Sequence, residues 1–184
     1  SVGQMHQAFN DALPTLAVYG DKAISVFQGL AAAAKGTGVE TSRLLDIASQ
    51  FDTFDSAAES VGRLNGMLGG NYLNSLEMVT MSEEERIRAM IQATQASGRA
   101  FNELGRFEQK AIANAVGITD MAEANKIFGL SLEAYDDLTA KANSGAMSQA
   151  EMAEQADKAR TAQEKLQNMF QSLAIAVQPI ISVF

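Results

Sequence analysis

Ser82-Glu83-Glu84-Glu85-Arg86-Ile87-Arg88-Ala89-Met90-Ile91-Gln92-Ala93-Thr94 is the stretch that decides the fold class. Ser82 followed three residues later by Glu85 is a capping box: the serine oxygen accepts from the N3 amide and the glutamate reaches back to the cap amide. Three glutamates in one turn suit the positive end of a helix dipole. Ile87, Met90, Ile91 and Thr94 then recur at helical spacing, and the helix weakens at Gly98.

The same grammar extends in both directions. Thr41 or Ser42 is a candidate N-cap for Leu44, Ile47, Ala48 and Phe51, which share one helix face. Asp52-Thr53-Phe54-Asp55 is a turn or a new cap. Phe54, Ala57, Val61, Leu64 and Leu68 follow at spacings of three and four, before a loop at Gly69-Gly70-Asn71. Upstream, one long helix is expected from Gln4 to Lys35, with the stripe Leu16, Tyr19, Ala23, Phe27 and Leu30. Pro14 is expected to kink it, and Gly36-Thr37-Gly38 ends it. Downstream, helices are expected from Asn102 to Val116 (through Leu104, Phe107, Ala111 and Ala115), from an Asp120/Glu123 capping box to Gly129, and from Ser131 to Asn143.

Ser148-Gln149-Ala150-Glu151 starts the most regular segment, with Met147 and Met152 placed as a hydrophobic staple. Met152, Gln155, Ala159, Ala162, Leu166, Met169, Leu173, Ala176, Ile180 and Val183 alternate three and four, a heptad seam polar only at Gln155. Ala156, Phe170, Val177 and Phe184 widen the apolar face beyond a dimer seam. The face suits either three or more helices in contact or packing on the chain's own domain. Pro179 should kink or stop it. The candidate oligomer interface is Met152, Ala159, Ala162, Leu166, Met169, Leu173, Ala176 and Ile180.

The predicted fold is therefore all-α: a multi-helix bundle of short helices separated by glycines, followed by a longer C-terminal coiled-coil-like helix. Three segments are expected: an N-terminal helix over 1–37, a compact helical domain over 38–146, and a heptad-bearing helix over 147–184 that leads into a continuation. The start lacks Met and the chain stops within Ile180-Ile181-Ser182-Val183-Phe184, so both ends read as cuts in a longer polypeptide. Ser1 to Phe9 has neither the basic region nor the apolar run of a signal peptide.

Composition narrows the function. Hydrophobic residues make up 47% and charged residues 20%, which fits a packed chain rather than a disordered one. A net charge of −8 argues against binding nucleic acid through its phosphates, which needs clustered Lys and Arg. With no Cys and one His, His6, a zinc site has too few good ligands. No GxSxG, P-loop or GxGxxG motif occurs. Asp52 and Asp55 lack the glycine and distal glutamate of a calcium loop, so capping or a solvated face is expected for them, and a solvated face for Asp136-Asp137. No Trp and only three Tyr leave little platform for sugar stacking. No cofactor or metal is expected, and no enzyme. The nine Met residues fall mostly at core spacing. Leu166 to Phe184 carries no charge, but its Gln, Asn, Ser and Pro make a poor bilayer span.

The stretch from Gly38 to Asn143 resembles helical regions of bacteriophage tail tape measure proteins. The marks are Phe51-Asp52-Thr53-Phe54 with Ala57-Ala58, Leu64-Asn65 before Gly69-Gly70, Asn74-Ser75, and Glu84-Glu85-Arg86. Arg106-Phe107-Glu108 through Ala111-Ile112-Ala113 to Gly117 completes them. The resemblance implies a virion structural protein, assembled in the host cytoplasm, that lies in the tail lumen or at its tip. Such proteins set tail length and leave during genome delivery. Homo-oligomers, here a trimer, held by tail tip hub and tail tube proteins are implied, with membrane contact confined to delivery. The family has no catalytic motif to carry over. Two other classes remain open: a cellular helical adaptor or scaffold, and a tail-associated peptidoglycan hydrolase.

Overall fold

A computed structural model describes residues 2–144 and the single position Glu164. The described residues are all-α, with no strand among them. Nine helices run in order: α1 Val2–Leu16, α2 Ala23–Thr37, α3 Thr41–Ala48, α4 Phe54–Leu68, α5 Ser75–Thr80, α6 Glu83–Ala96, α7 Arg106–Ala115, α8 Met121–Phe128 and α9 Leu132–Ser144. Short 3-10 segments lie at Ala17–Lys22, Ser49–Phe51 and Phe101–Glu103.

The amphipathic α6 is the hub. It packs against α2, α3, α8 and α9, while α4 lies on α5 and α7 and α2 packs extensively along α9. The main core gathers Leu44, Ile47, Phe51, Leu64, Met78, Ile87, Met90, Ile91, Ile112, Ile127 and Tyr135, all nearly inaccessible to water. Ala57, Ile87, Met90 and Ile91 fall on the faces that their spacing predicts. A satellite core of Phe9, Ala12, Leu13, Leu16, Ala23 and Phe27 joins α1 to the first turns of α2. Phe9 and Phe27 meet edge to face at 4.9 Å, a geometry that aromatic quadrupoles favour. Because α2 also supplies Leu30 and Ala33 to the main core, it belongs to both clusters.

Helix starts follow the cap chemistry. The capping box at Ser82 is present: Glu85 N–H donates to Ser82 Oγ at 3.4 Å, and Ser82 N–H donates to Glu85 Oε2 at 2.8 Å. Thr53 is the cap of α4 and accepts from Ser56 N–H. Asn74 caps α5, accepting from Leu76 and Glu77.

Several expectations are corrected. The single helix from Gln4 to Lys35 is broken, and Pro14 is not the break: it sits inside α1. Gly20 is, with φ 54° and ψ −123°, a conformation that glycine alone reaches without steric penalty. Thr41 is the first residue of α3 and Glu40 occupies the N-cap without a side-chain bond, so neither Thr41 nor Ser42 caps it. The helix from Asn102 to Val116 is split. Phe101–Glu103 forms a 3-10 turn and α7 starts only after Gly105, whose N–H donates to Glu108. Phe107, placed on the apolar stripe by spacing, is 79% exposed as a result. Asp120 does cap α8, accepting from Ala122 N–H at 2.8 Å. Glu123 does not complete a box: Arg43 donates to both of its oxygens, at 2.8 and 3.2 Å, across 80 positions of sequence. An ion pair from another helix outcompetes a local backbone bond there. The short α5 has no counterpart among the helices expected from periodicity.

Candidate interaction surfaces

The expected oligomer interface, Met152, Ala159, Ala162, Leu166, Met169, Leu173, Ala176 and Ile180, lies outside the described residues, as do the expected heptad helix and the apolar stretch after it. Among the described residues, the polar construction centres on the start of α6.

Arg86 is the main fastening. Its guanidinium is buried, at 3% exposure for the residue. Nε donates to the Met78 carbonyl at 2.8 Å and Nη2 to the Val79 carbonyl at 3.0 Å, both at the end of α5. Nη1 donates to the Ala48 carbonyl at 2.9 Å, at the end of α3, and to Asp52 Oδ1 at 2.6 Å. One planar cation thus satisfies orphan carbonyls at two helix C-termini, where the dipole also favours positive charge. Asp52, expected to be a cap or a solvated acid, is the counter-ion of this buried group. The signal was in the sequence: Arg86 stands four residues before Met90, on the apolar face of α6.

The three glutamates at the start of α6 have three different jobs. Glu85 closes the capping box. Glu84 accepts from the buried Tyr135 hydroxyl of α9 at 2.8 Å. Glu83 is 3% exposed, and its carboxylate lies beside the Tyr19 phenol, in the 3-10 turn after α1. Its Oε2 has no hydrogen-bond partner, a desolvation cost that the positive end of α6 offsets in part. Burial pushes both phenols well above the ordinary tyrosine range, and the neighbouring carboxylates add to this. Both phenols therefore stay protonated, and Tyr135 is a fixed hydrogen-bond donor that fastens α9 to α6. Asp136, expected on a solvated face, is held by a bidentate pair with Arg88 at 2.8 and 2.9 Å, which keeps its carboxyl below the ordinary value.

Burial raises the Glu84 carboxyl above its ordinary value near 4.5, with the Tyr135 hydrogen bond pulling the other way. A carboxyl raised by folding favours the folded state below that ordinary value and loses the contribution as pH rises through the shifted one. Glu84→Gln keeps an acceptor for Tyr135 and cannot charge. Wild type should therefore gain stability relative to Glu84→Gln as pH falls from about 7 to about 4. Urea unfolding of both proteins across that range checks this, and a pH-independent difference would contradict it.

Among the described residues, two depressions border α6. One, about 370 Å³, lies between the start of α2 and the start of α6, bordered by Tyr19, Lys22, Ser25, Ser82, Glu84 and Glu85. The other, about 250 Å³, lies between the 72–81 segment and α6, lined by Tyr72, Met78, Met81, Ala89, Ala93 and Ala96. In the first, Ser25 Oγ donates to the Lys22 carbonyl and Ser82 Oγ accepts from Glu85 N–H. Among the described residues no group of three or more His, Cys, Asp or Glu side chains could hold a metal ion. No described helix is long and apolar enough to cross a membrane.

No known protein family, curated protein or solved structure gives a significant match to this chain. Function must therefore be argued from the chain itself. Among the described residues, the large exposed apolar side chains are Val18, Phe54, Tyr72, Leu76, Phe107 and Leu138. Val18 lies beside the Gly20 break, and Phe54, Leu76 and Phe107 stand at helix starts. Single apolar side chains scattered in this way are ordinary features of a protein surface.

Proposed function

We propose that this chain is a structural, non-catalytic segment of a phage tail tape measure protein. In this reading, residues 2–144 are a folded body docked at the tail tip, and residues 152–183 carry the seam that joins sister chains into a trimer. The observation that carries the reading is the resemblance over Gly38 to Asn143. The all-α architecture agrees with it, and the heptad run from Met152 to Val183 suits an extended helical oligomer, with about 1.5 Å of length gained per residue. The net charge of −8 suits passage of DNA alongside the protein without adhesion.

Charge at the seam tests the oligomer. Leu166→Asp combined with Leu173→Asp places carboxylates on the apolar face of each chain, where burial is prohibitive. Light scattering should then give the mass of a monomer in place of the wild-type trimer, with the far-UV helical signal of the body retained. A wild-type protein that is already monomeric, or a double variant of unchanged mass, would contradict the proposal.

A further inference from the structure

The break at Gly20 interrupts a sequence pattern that does not itself break. Phe9, Leu13 and Leu16 precede Gly20 at spacings of four, three and four, and Ala23, Phe27 and Leu30 follow at three, four and three. That is one uninterrupted heptad seam with glycine at a single seam position. The same register is mirror-symmetric about position 18. Folding back there sets Phe9 opposite Phe27 and Leu13 opposite Ala23. The structure shows the fold-back: the Phe9 and Phe27 rings touch at 4.9 Å, whereas in a straight helix they would stand about 27 Å apart. Phe9, Leu13, Leu16, Ala23 and Phe27 are buried in the hairpin cluster, and Leu30 in the main core beside it. One stripe therefore satisfies two geometries, a hairpin closed on itself and a straight helix whose seam needs an outside partner.

We propose that α1 and α2 open at Gly20 into one continuous helix from Val2 to Thr37, and that a second copy of this chain covers the exposed seam. The occupant follows from the contacts: the hairpin is the seam packed on itself, so another copy offers α1 the same Ala23 and Phe27 that it leaves. Exchange of an identical element between protomers is a low-cost route to association, and the hinge controls it. Gly20 sets the turn through its backbone conformation and not through close packing, because a Cβ built there meets nothing within 4 Å. Opening releases the turn around Tyr19, the contact of that phenol with Glu83, and the packing of α1 on α2 and α3, which a second copy exchanging α1 would restore. The inference stands apart from the seam at residues 152–183.

Spin labels on Gln7→Cys and Gln28→Cys report the hinge in the full chain. Both positions are exposed and the chain has no other cysteine. Doubly labelled protein diluted in unlabelled protein should give a short distance in the hairpin, set by helix axes about 8–10 Å apart. In the straight helix it should give about 32 Å. Gly20→Ala removes the favoured turn residue and improves the helix. It should raise the ratio of long to short distances at least about tenfold. Mixing protein labelled only at 7 with protein labelled only at 28 should then produce a short distance between chains. A helical Gly20→Ala protein that keeps only the short intrachain distance would overturn the opening. One that opens without any interchain distance would overturn the second copy as partner. Should Gly20→Ala lose its helical signal, wild type decides: its long-distance fraction must rise with protein concentration, and a fraction independent of concentration overturns the proposal.

Discussion

Arg86→Met is expected to lower the free energy of unfolding by about 3–5 kcal/mol, because three backbone carbonyls at two helix ends lose their donor. Methionine fills much of the volume of the arginine stem and offers no donor. The carbonyls of Ala48, Met78 and Val79 and the carboxylate of Asp52 all lose the guanidinium that bonds them. Asp52 is half exposed and can turn to water. The three carbonyls belong to the backbone, so no compensating substitution can remove them, and each buried orphan costs about 1–3 kcal/mol. Arg86→Lys restores the charge but not the planar fork that reaches four acceptors, and it should recover less than half of the loss. Urea unfolding of the three proteins measures this. A loss under about 1 kcal/mol for Arg86→Met would mean that α3, α5 and α6 hold together without the fastening.

Phe101→Ala is expected to cost a similar amount, about 3–5 kcal/mol. Phe101 is 2% exposed and stacks on Phe128 at 5.5 Å, joining the 3-10 turn before α7 to the end of α8. Truncation loses the ring contact and leaves a cavity between segments that backbone hydrogen bonds hold in place. Phe107→Ala supplies the contrast, because that ring is 79% exposed; its removal should change stability by less than about 0.5 kcal/mol. The pair separates a phenylalanine used for the fold from one that the fold leaves exposed. Equal losses at the two positions would contradict that division.

Helix content and core faces were legible because side-chain period and cap chemistry are local. Ser82 with Glu85, and Leu44 with Ile47 and Phe51, can be read within one or two turns. The illegible features depend on contacts distant in sequence. Glu123 looks like a capping residue until Arg43 is folded beside it. Asp52 looks like a cap until Arg86 reaches it. Phe107 falls on a helical stripe, and only the start of α7 at Arg106 shows that the stripe belongs to two elements. Pro14 masks Gly20 as the break because proline is the stronger helix breaker in general. An intact heptad across a glycine is a signature of a hairpin as well as of a rod, and spacing alone does not choose between them. Asn74 marks the start of α5, but six helical residues are too few for periodicity to stand out. The candidate oligomer seam rests on heptad spacing alone and lies beyond the described body.

The central claim, that this chain is a tail component, is tested most directly by quantitative peptide mass spectrometry of purified tails from phage particles released by the cells that encode it. The account predicts peptides from Thr41–Leu68 and Glu83–Ala96 in purified tails, at a fixed ratio to the hub protein that corresponds to one trimer per tail. Tails without these peptides, from cells whose soluble fraction contains the chain, would contradict it.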